Sequence, residues 1–243
     1  MKRIVLFVLL LVATIGYAKQ PLTIWVAGDN TAADQVDLSS PARGWAQVLP
    51  TYLNDLLVMN LAAPEEGVAS FLDSERWNYI LTNAKKKDII LIQFGLNDLD
   101  PTKGRAFSTI EAFEHHLLNM VLKAQKAHLT VILTTPVSRM RRNADQQFYP
   151  SFGLYAEATR RVAERTKVPL IDLEKKTAEE LRFYTEQQSD ELFADGVNLT
   201  EKGALWVAQL WAQEAASLKV LEEHINLYNH AETLYTTPVT LAQ

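Results

Sequence analysis

The 243-residue sequence contains no cysteine. Disulfides, thiol catalysis, thiolate zinc sites and a lipid anchor on cysteine are therefore all excluded. Histidine is scarce too: the five present include no His-x-x-x-His or similar ligand spacing, so no metal is expected and no cofactor is implied. Nor does the sequence carry an internal repeat, a low-complexity tract or a Pro/Gly/Ser-rich linker that would divide it. Basic residues are the minority, 24 against 29 acidic, which argues against a general nucleic-acid binder.

What is present begins with a leader pattern. Met1-Lys2-Arg3 gives a basic start, the run Ile4 to Ala13 is apolar, and Gly16-Tyr17-Ala18 places small residues where a signal peptidase reads them. The apolar run falls well short of the roughly 20 residues a membrane-spanning helix needs. Cleavage after Ala18 is expected, leaving a periplasmic or extracellular protein with no membrane attachment. Loss of Lys2 and Arg3 moves the net charge from −5 to −7.

Beyond the leader, short apolar runs rich in β-branched residues alternate with stretches of helical period, the pattern of βα units around a parallel sheet. Strands are predicted at Leu22–Ala27, Leu57–Asn60, Asp88–Phe94, Thr130–Thr134 and Pro169–Asp172. Helices are predicted near Gly44–Asp55, Ser74–Ala84, Thr109–Ala127, Phe152–Thr166, Glu174–Gln187 and Thr200–Leu218. The expected fold is a flavodoxin-like α/β/α sandwich with a five-stranded parallel sheet, occupying 19–218 after a leader at 1–18. Residues 219–243 read as a helix end and a tail without an assigned role.

Ligands of such sheets bind beyond the carboxyl ends of the strands, so the residues just after each strand carry the functional information. Those segments are Gly28-Asp29-Asn30-Thr31, Gly95-Leu96-Asn97-Asp98, Thr135-Pro136-Val137-Ser138-Arg139 and, before the last helix, Asp195-Gly196-Val197-Asn198. With Gly44-Trp45-Ala46-Gln47, Asn60-Leu61-Ala62 and Pro169-Leu170-Ile171-Asp172-Leu173, they make the chain similar to the SGNH (GDSL-type) hydrolase superfamily over about Leu22 to Leu218. The similarity is greatest to its rhamnogalacturonan-acetylesterase branch.

That resemblance implies ester hydrolysis by a serine in the first block, a histidine in the last, and an aspartate three residues earlier that orients the ring. It also implies oxyanion donors from that serine, from a glycine after the second strand and from the asparagine of the third block. Asn30 stands where the serine is expected and Asn198 where the histidine is expected. Neither amide supplies a nucleophile or a titrating base. Asn97 and Asp195 match the pattern. An ungapped match puts Glu65 at the oxyanion glycine, where a carboxylate would oppose a developing anion, although a two-residue shift would give the position to Gly67 instead. Asp195 is left either to bond Asn198 or to cap the helix near Thr200.

Arg139, Arg141 and Arg142 follow the fourth strand. They suit a carboxylate-bearing ligand such as a uronic acid, or else form a solvated basic loop. Trp45, Trp77 and Trp206 are expected in the core, and His115-His116 partly exposed. Ser39, Ser40, Ser70 and Thr31 have no nearby histidine to activate them. The favoured expectation is a non-hydrolytic protein that binds a carbohydrate, an acidic or acetylated plant polysaccharide being in view. A working hydrolase with a displaced nucleophile or a carboxylate-activated water, and an interaction protein with a vestigial cleft, stay open. Oligomeric state is not legible.

Overall fold

Five parallel strands run in the order β2-β1-β3-β4-β5, formed by β1 (Leu22–Gly28), β2 (Leu56–Asn60), β3 (Ile89–Gln93), β4 (Thr130–Thr134) and β5 (Leu170–Ile171). This is the flavodoxin-like order expected from the sequence. The computed structural model describes residues 21–37, 39–139 and 152–227. The leader, Arg141, Arg142 and the tail beyond residue 227 lie outside the described residues.

Alternation along the strands sorts the apolar side chains onto two faces. Ile24 and Val26 share one face with Ile89, Leu91 and Ile132, and meet helices α1 (Trp45–Val48), α6 (Leu173–Leu181) and α8 (Glu201–Ala215). Trp25 and Ala27 share the other face with Ile90, Ile92 and Leu133. That face is covered by α2 (Val68–Leu72), α3 (Glu75–Asn83), α4 (Ile110–Lys126) and α5 (Gly153–Thr166). Covered on both sides, β3 reads as an unbroken apolar run, Ile-Ile-Leu-Ile, before Gln93. Trp45, Trp77 and Trp206 are buried as expected, and Trp45 stacks on Trp211 at 6.0 Å between ring centroids. Such a pair adds about 0.5–1.5 kcal/mol beyond area burial. His115 is exposed on α4.

Helix starts follow the sequence signals closely, because Ser74, Thr109, Asp172 and Thr200 each accept a backbone N–H of the first turn. Two helices differ in extent. The helix expected over Gly44–Asp55 is a single α-turn continued by a 3-10 turn, Leu49–Tyr52, since Pro50 enters there without a backbone donor. The helix expected over Glu174–Gln187 stops at Leu181 and restarts as α7 (Glu186–Asp190), where Thr185 and Gln188 form a reciprocal capping box. The short α2 was not anticipated. After α8 the chain returns, and Ile225 bridges to Leu53 beside the start of β2. Among the described residues no helix is long and apolar enough to cross a membrane.

Candidate functional site

The first turn after β1 is braced from beneath. Asp29 is fully buried; its Oδ1 accepts from the Thr31 backbone (3.1 Å), the Thr31 hydroxyl (3.0 Å) and Gln93 Nε2 (3.2 Å), and its Oδ2 accepts from Leu96 N–H at 3.2 Å. Trp45 Nε1 in turn donates to Gln93 Oε1 at 2.6 Å. Burial pushes the Asp29 carboxyl up to about 6, against the pull of those hydrogen bonds and of Arg139. One buried carboxylate thus ties the loops after β1 and β3 together and fixes where residue 30 projects.

Asn30 projects into a polar convergence. Its side-chain Oδ1 accepts from Glu65 N–H at 3.0 Å and from Asn97 Nδ2 at 2.9 Å, while Asn97 Nδ2 also donates to the Glu66 carbonyl at 2.9 Å. These are two of the three donors that the resemblance assigns to an oxyanion, and here they converge on an amide oxygen.

The expectation for Glu65 needs correcting in its physical reason. Glu65 takes a left-handed backbone, φ +62°, a conformation that favours glycine, and this aims its N–H at Asn30. Its carboxylate points elsewhere: it pairs with Lys103 Nζ at 2.5 Å and is 62% exposed. The charge therefore does not face the convergence. Gly67 does not compete for the role. Its N–H donates to Ser70 Oγ at 3.0 Å, and a Cβ there would stand 2.0 Å from the Ala106 carbonyl, so it is a glycine of close approach.

The last block forms a tight loop before α8. Asp195 Oδ1 accepts from Val197 N–H (3.0 Å) and Asn198 N–H (2.7 Å), and Oδ2 accepts from Asn198 Nδ2 at 2.7 Å. Desolvation raises the Asp195 carboxyl, but the hydrogen bonds from Asn198 and Val197 outweigh it and hold the carboxyl below its ordinary range. Of its two expected roles, Asp195 takes the bond to Asn198. The helix is capped by Thr200, whose hydroxyl accepts from Gly203 N–H at 3.1 Å.

Asn30, Asp195 and Asn198 line one open cleft of about 430 Å³, together with Gln35, Ser40, Pro41, Ala42, Pro64 and Ala194. Carboxylates that could activate water are engaged: Asp29 is buried, Glu65 pairs with Lys103, and Glu66 bonds Arg105 at 2.7 Å and the Ser70 hydroxyl. Arg139 does not line the cleft. Its guanidinium lies 5.0 Å from the Phe152 ring centroid and donates to the Leu96 carbonyl at 3.3 Å, bracing the third-block loop. No group of three or more His, Asp or Glu among the described residues could hold a metal ion.

Asp98, next to Asn97, escaped sequence reasoning. It is fully buried, and its Oδ1 accepts from Val68 N–H at 2.9 Å. Desolvation, with the nearby Asp29 charge adding to it, pushes its carboxyl up to about 8. The available signal was its position inside the Gly95-Leu96-Asn97-Asp98 block.

Two curated relatives of this chain are acetylesterases by name. Rhamnogalacturonan acetylesterase RhgT of Bacillus subtilis is 29% identical over 224 residues, spanning 85% of this chain and 95% of its own. The probable rhamnogalacturonan acetylesterase YesY of the same organism is 28% identical, over 78% and 90% of the two chains. Among solved structures, YxiM of B. subtilis superposes with a TM-score of 0.73 at 26% identity, covering 80% of this chain and 56% of that one. The profile of the GDSL-like Lipase/Acylhydrolase family matches residues 26–205, and the chain belongs to that family.

Proposed function

We propose that the chain is a non-hydrolytic member of the family that acts outside the cytoplasm and binds a carbohydrate of the acetylated, pectin-type class on which its relatives are named. One observation carries the reading: the Asn30 side-chain oxygen rests on two of the donors that an oxyanion would need. An amide there has no proton to lose and no oxygen nucleophilic enough to attack an ester. Asn198 adds to this, since it holds the place beside Asp195 without an ionisable ring to move a proton.

The open cleft supports a retained ligand rather than a vestigial surface, and its amide, hydroxyl and carboxylate groups suit a polyhydroxylated molecule. The leader pattern Met1 to Ala18 supports export. The test is a purified mature chain offered acetylated oligosaccharides and a fluorophosphonate probe. No turnover above background and no covalent labelling are expected, with saccharide binding retained. Probe-sensitive hydrolysis would overturn the reading.

A further inference from the structure

The two asparagines are anchored in opposite senses. Asn30 spends its oxygen on Glu65 N–H and Asn97 Nδ2, whereas Asn198 spends its nitrogen on Asp195 Oδ2. These partners settle both amide orientations: a reversed Asn30 would set donors against donors, and a reversed Asn198 would set its oxygen against a carboxylate. Each side chain therefore keeps one polar atom unspent. Asn30 Nδ2, a donor, and Asn198 Oδ1, an acceptor, have no hydrogen-bond partner among the described residues, and both side chains line the same cleft.

The charge of that cleft is one-sided. Asp195 is the one ionisable residue of its lining, and no cation lines it among the described residues. Among the described residues, Arg43 turns its guanidinium onto the Ser40 and Ala42 carbonyls, at 2.9 and 2.6 Å, Lys103 pairs with Glu65, Arg105 with Glu66, and Arg139 lies over Phe152. A carboxylate group placed there would bring a second negative charge beside Asp195 and set acceptor oxygens against the Asn198 oxygen. A neutral sugar ring has the complementary chemistry, because adjacent hydroxyls each donate and accept.

We infer that Asn30 Nδ2 and Asn198 Oδ1 act as a paired donor and acceptor that reads adjacent hydroxyls of a neutral sugar unit and rejects a uronate in the same place. The inference rests on the glycan-binding reading above and narrows its ligand. Of the arginines after β4, Arg139 is not part of the cleft lining, and Arg141 and Arg142 lie outside the described residues.

The experiment is calorimetric titration of the mature chain with matched oligosaccharides that differ in one group: galactan against galacturonan fragments and glucan against glucuronan fragments of equal length. At least one neutral member should bind tenfold or more tighter than its uronate counterpart. Side-chain amide spectra of ¹⁵N-labelled protein should show the Asn30 amide protons shifting on binding more than those of Asn198, which stay on Asp195. Asn30→Asp keeps the oxygen in place but turns the donor into a charged acceptor, and should weaken the neutral ligand at least tenfold while the circular dichroism spectrum is unchanged. Tighter uronate binding, or an unmoved Asn30 amide in the bound protein, overturns the inference and leaves glycan binding standing. If the amide spectra are native and no saccharide binds, the glycan-binding reading falls and takes this one with it.

Discussion

Restoring a serine and a histidine tests the site most directly. Asn30→Ser removes the amide oxygen from Glu65 N–H and Asn97 Nδ2, so both donors become available to an oxyanion. Without a base the serine hydroxyl remains a poor nucleophile, and the single variant should show little more than the roughly 10³–10⁴ over water that binding and an oxyanion hole give alone. Asn198→His then supplies the base. Asp195 Oδ2, which accepts the Asn198 amide at 2.7 Å, is placed to accept the ring N–H instead, and its carboxyl is held below the ordinary range and so stays ionised.

General-base catalysis contributes about 10²–10⁴, or about 2.7–5.5 kcal/mol of barrier, so the double variant should exceed the single by that factor. Glu65→Gly should add less than about threefold. The carboxylate it deletes is well exposed and paired with Lys103, so its field at the donors is weak. Acetyl-ester turnover of the single, double and triple variants reads all three steps. A single variant as fast as the double would mean an unrecognised base, and a triple variant a hundredfold above the double would mean that the Glu65 charge does reach the oxyanion.

Asp98 and Asp29, whose carboxyls rise to about 8 and about 6, keep protons in the folded chain that the unfolded chain has lost. Stability should be greatest below about pH 4 on their account and fall as pH climbs through those values, by up to about 1.4 kcal/mol per pH unit for each group. Asp98→Asn should flatten the upper part of that slope in denaturant unfolding at pH 5, 6.5 and 8, and an unchanged slope would refute the assignment. Gly67→Ala drives a Cβ to 2.0 Å from the Ala106 carbonyl and should cost about 1–3 kcal/mol, whereas Gly104→Ala, with open space but φ +56°, should cost about 1 kcal/mol. Thermal melts that rank the two the other way would show that the loop gives at Gly67.

Much of this was legible because it is written in contiguous residues. Sheet and helices follow from apolar period, and the helix starts near Ser74, Thr109 and Thr200 fall within a residue of those expected. The blocks at the strand ends located Asn30, Asn97, Asp195 and Asn198 before any coordinates. What failed was reading a residue by its side chain when its backbone meets the site. A glutamate at 65 reads in sequence as a charge set against the site, yet a left-handed φ turns its N–H inward and its carboxylate toward Lys103, a residue 38 positions away. Arg139 was judged by its neighbours in sequence, but the ring that holds it belongs to Phe152, at the start of α5. The five-residue α2 is too short to leave a period.

The brace beneath residue 30 has a consequence for how such a chain can drift. Asp29, Thr31, Gln93, Trp45 and Leu96 satisfy one another without using the side chain displayed above them. The turn would thus keep its shape whether it shows a hydroxyl or an amide, and what such a change disturbs is the pairing of Glu65 N–H and Asn97 Nδ2 alone. The residues that hold the turn and the residue it displays are thus different ones, so what the cleft offers and what shapes the turn can vary apart.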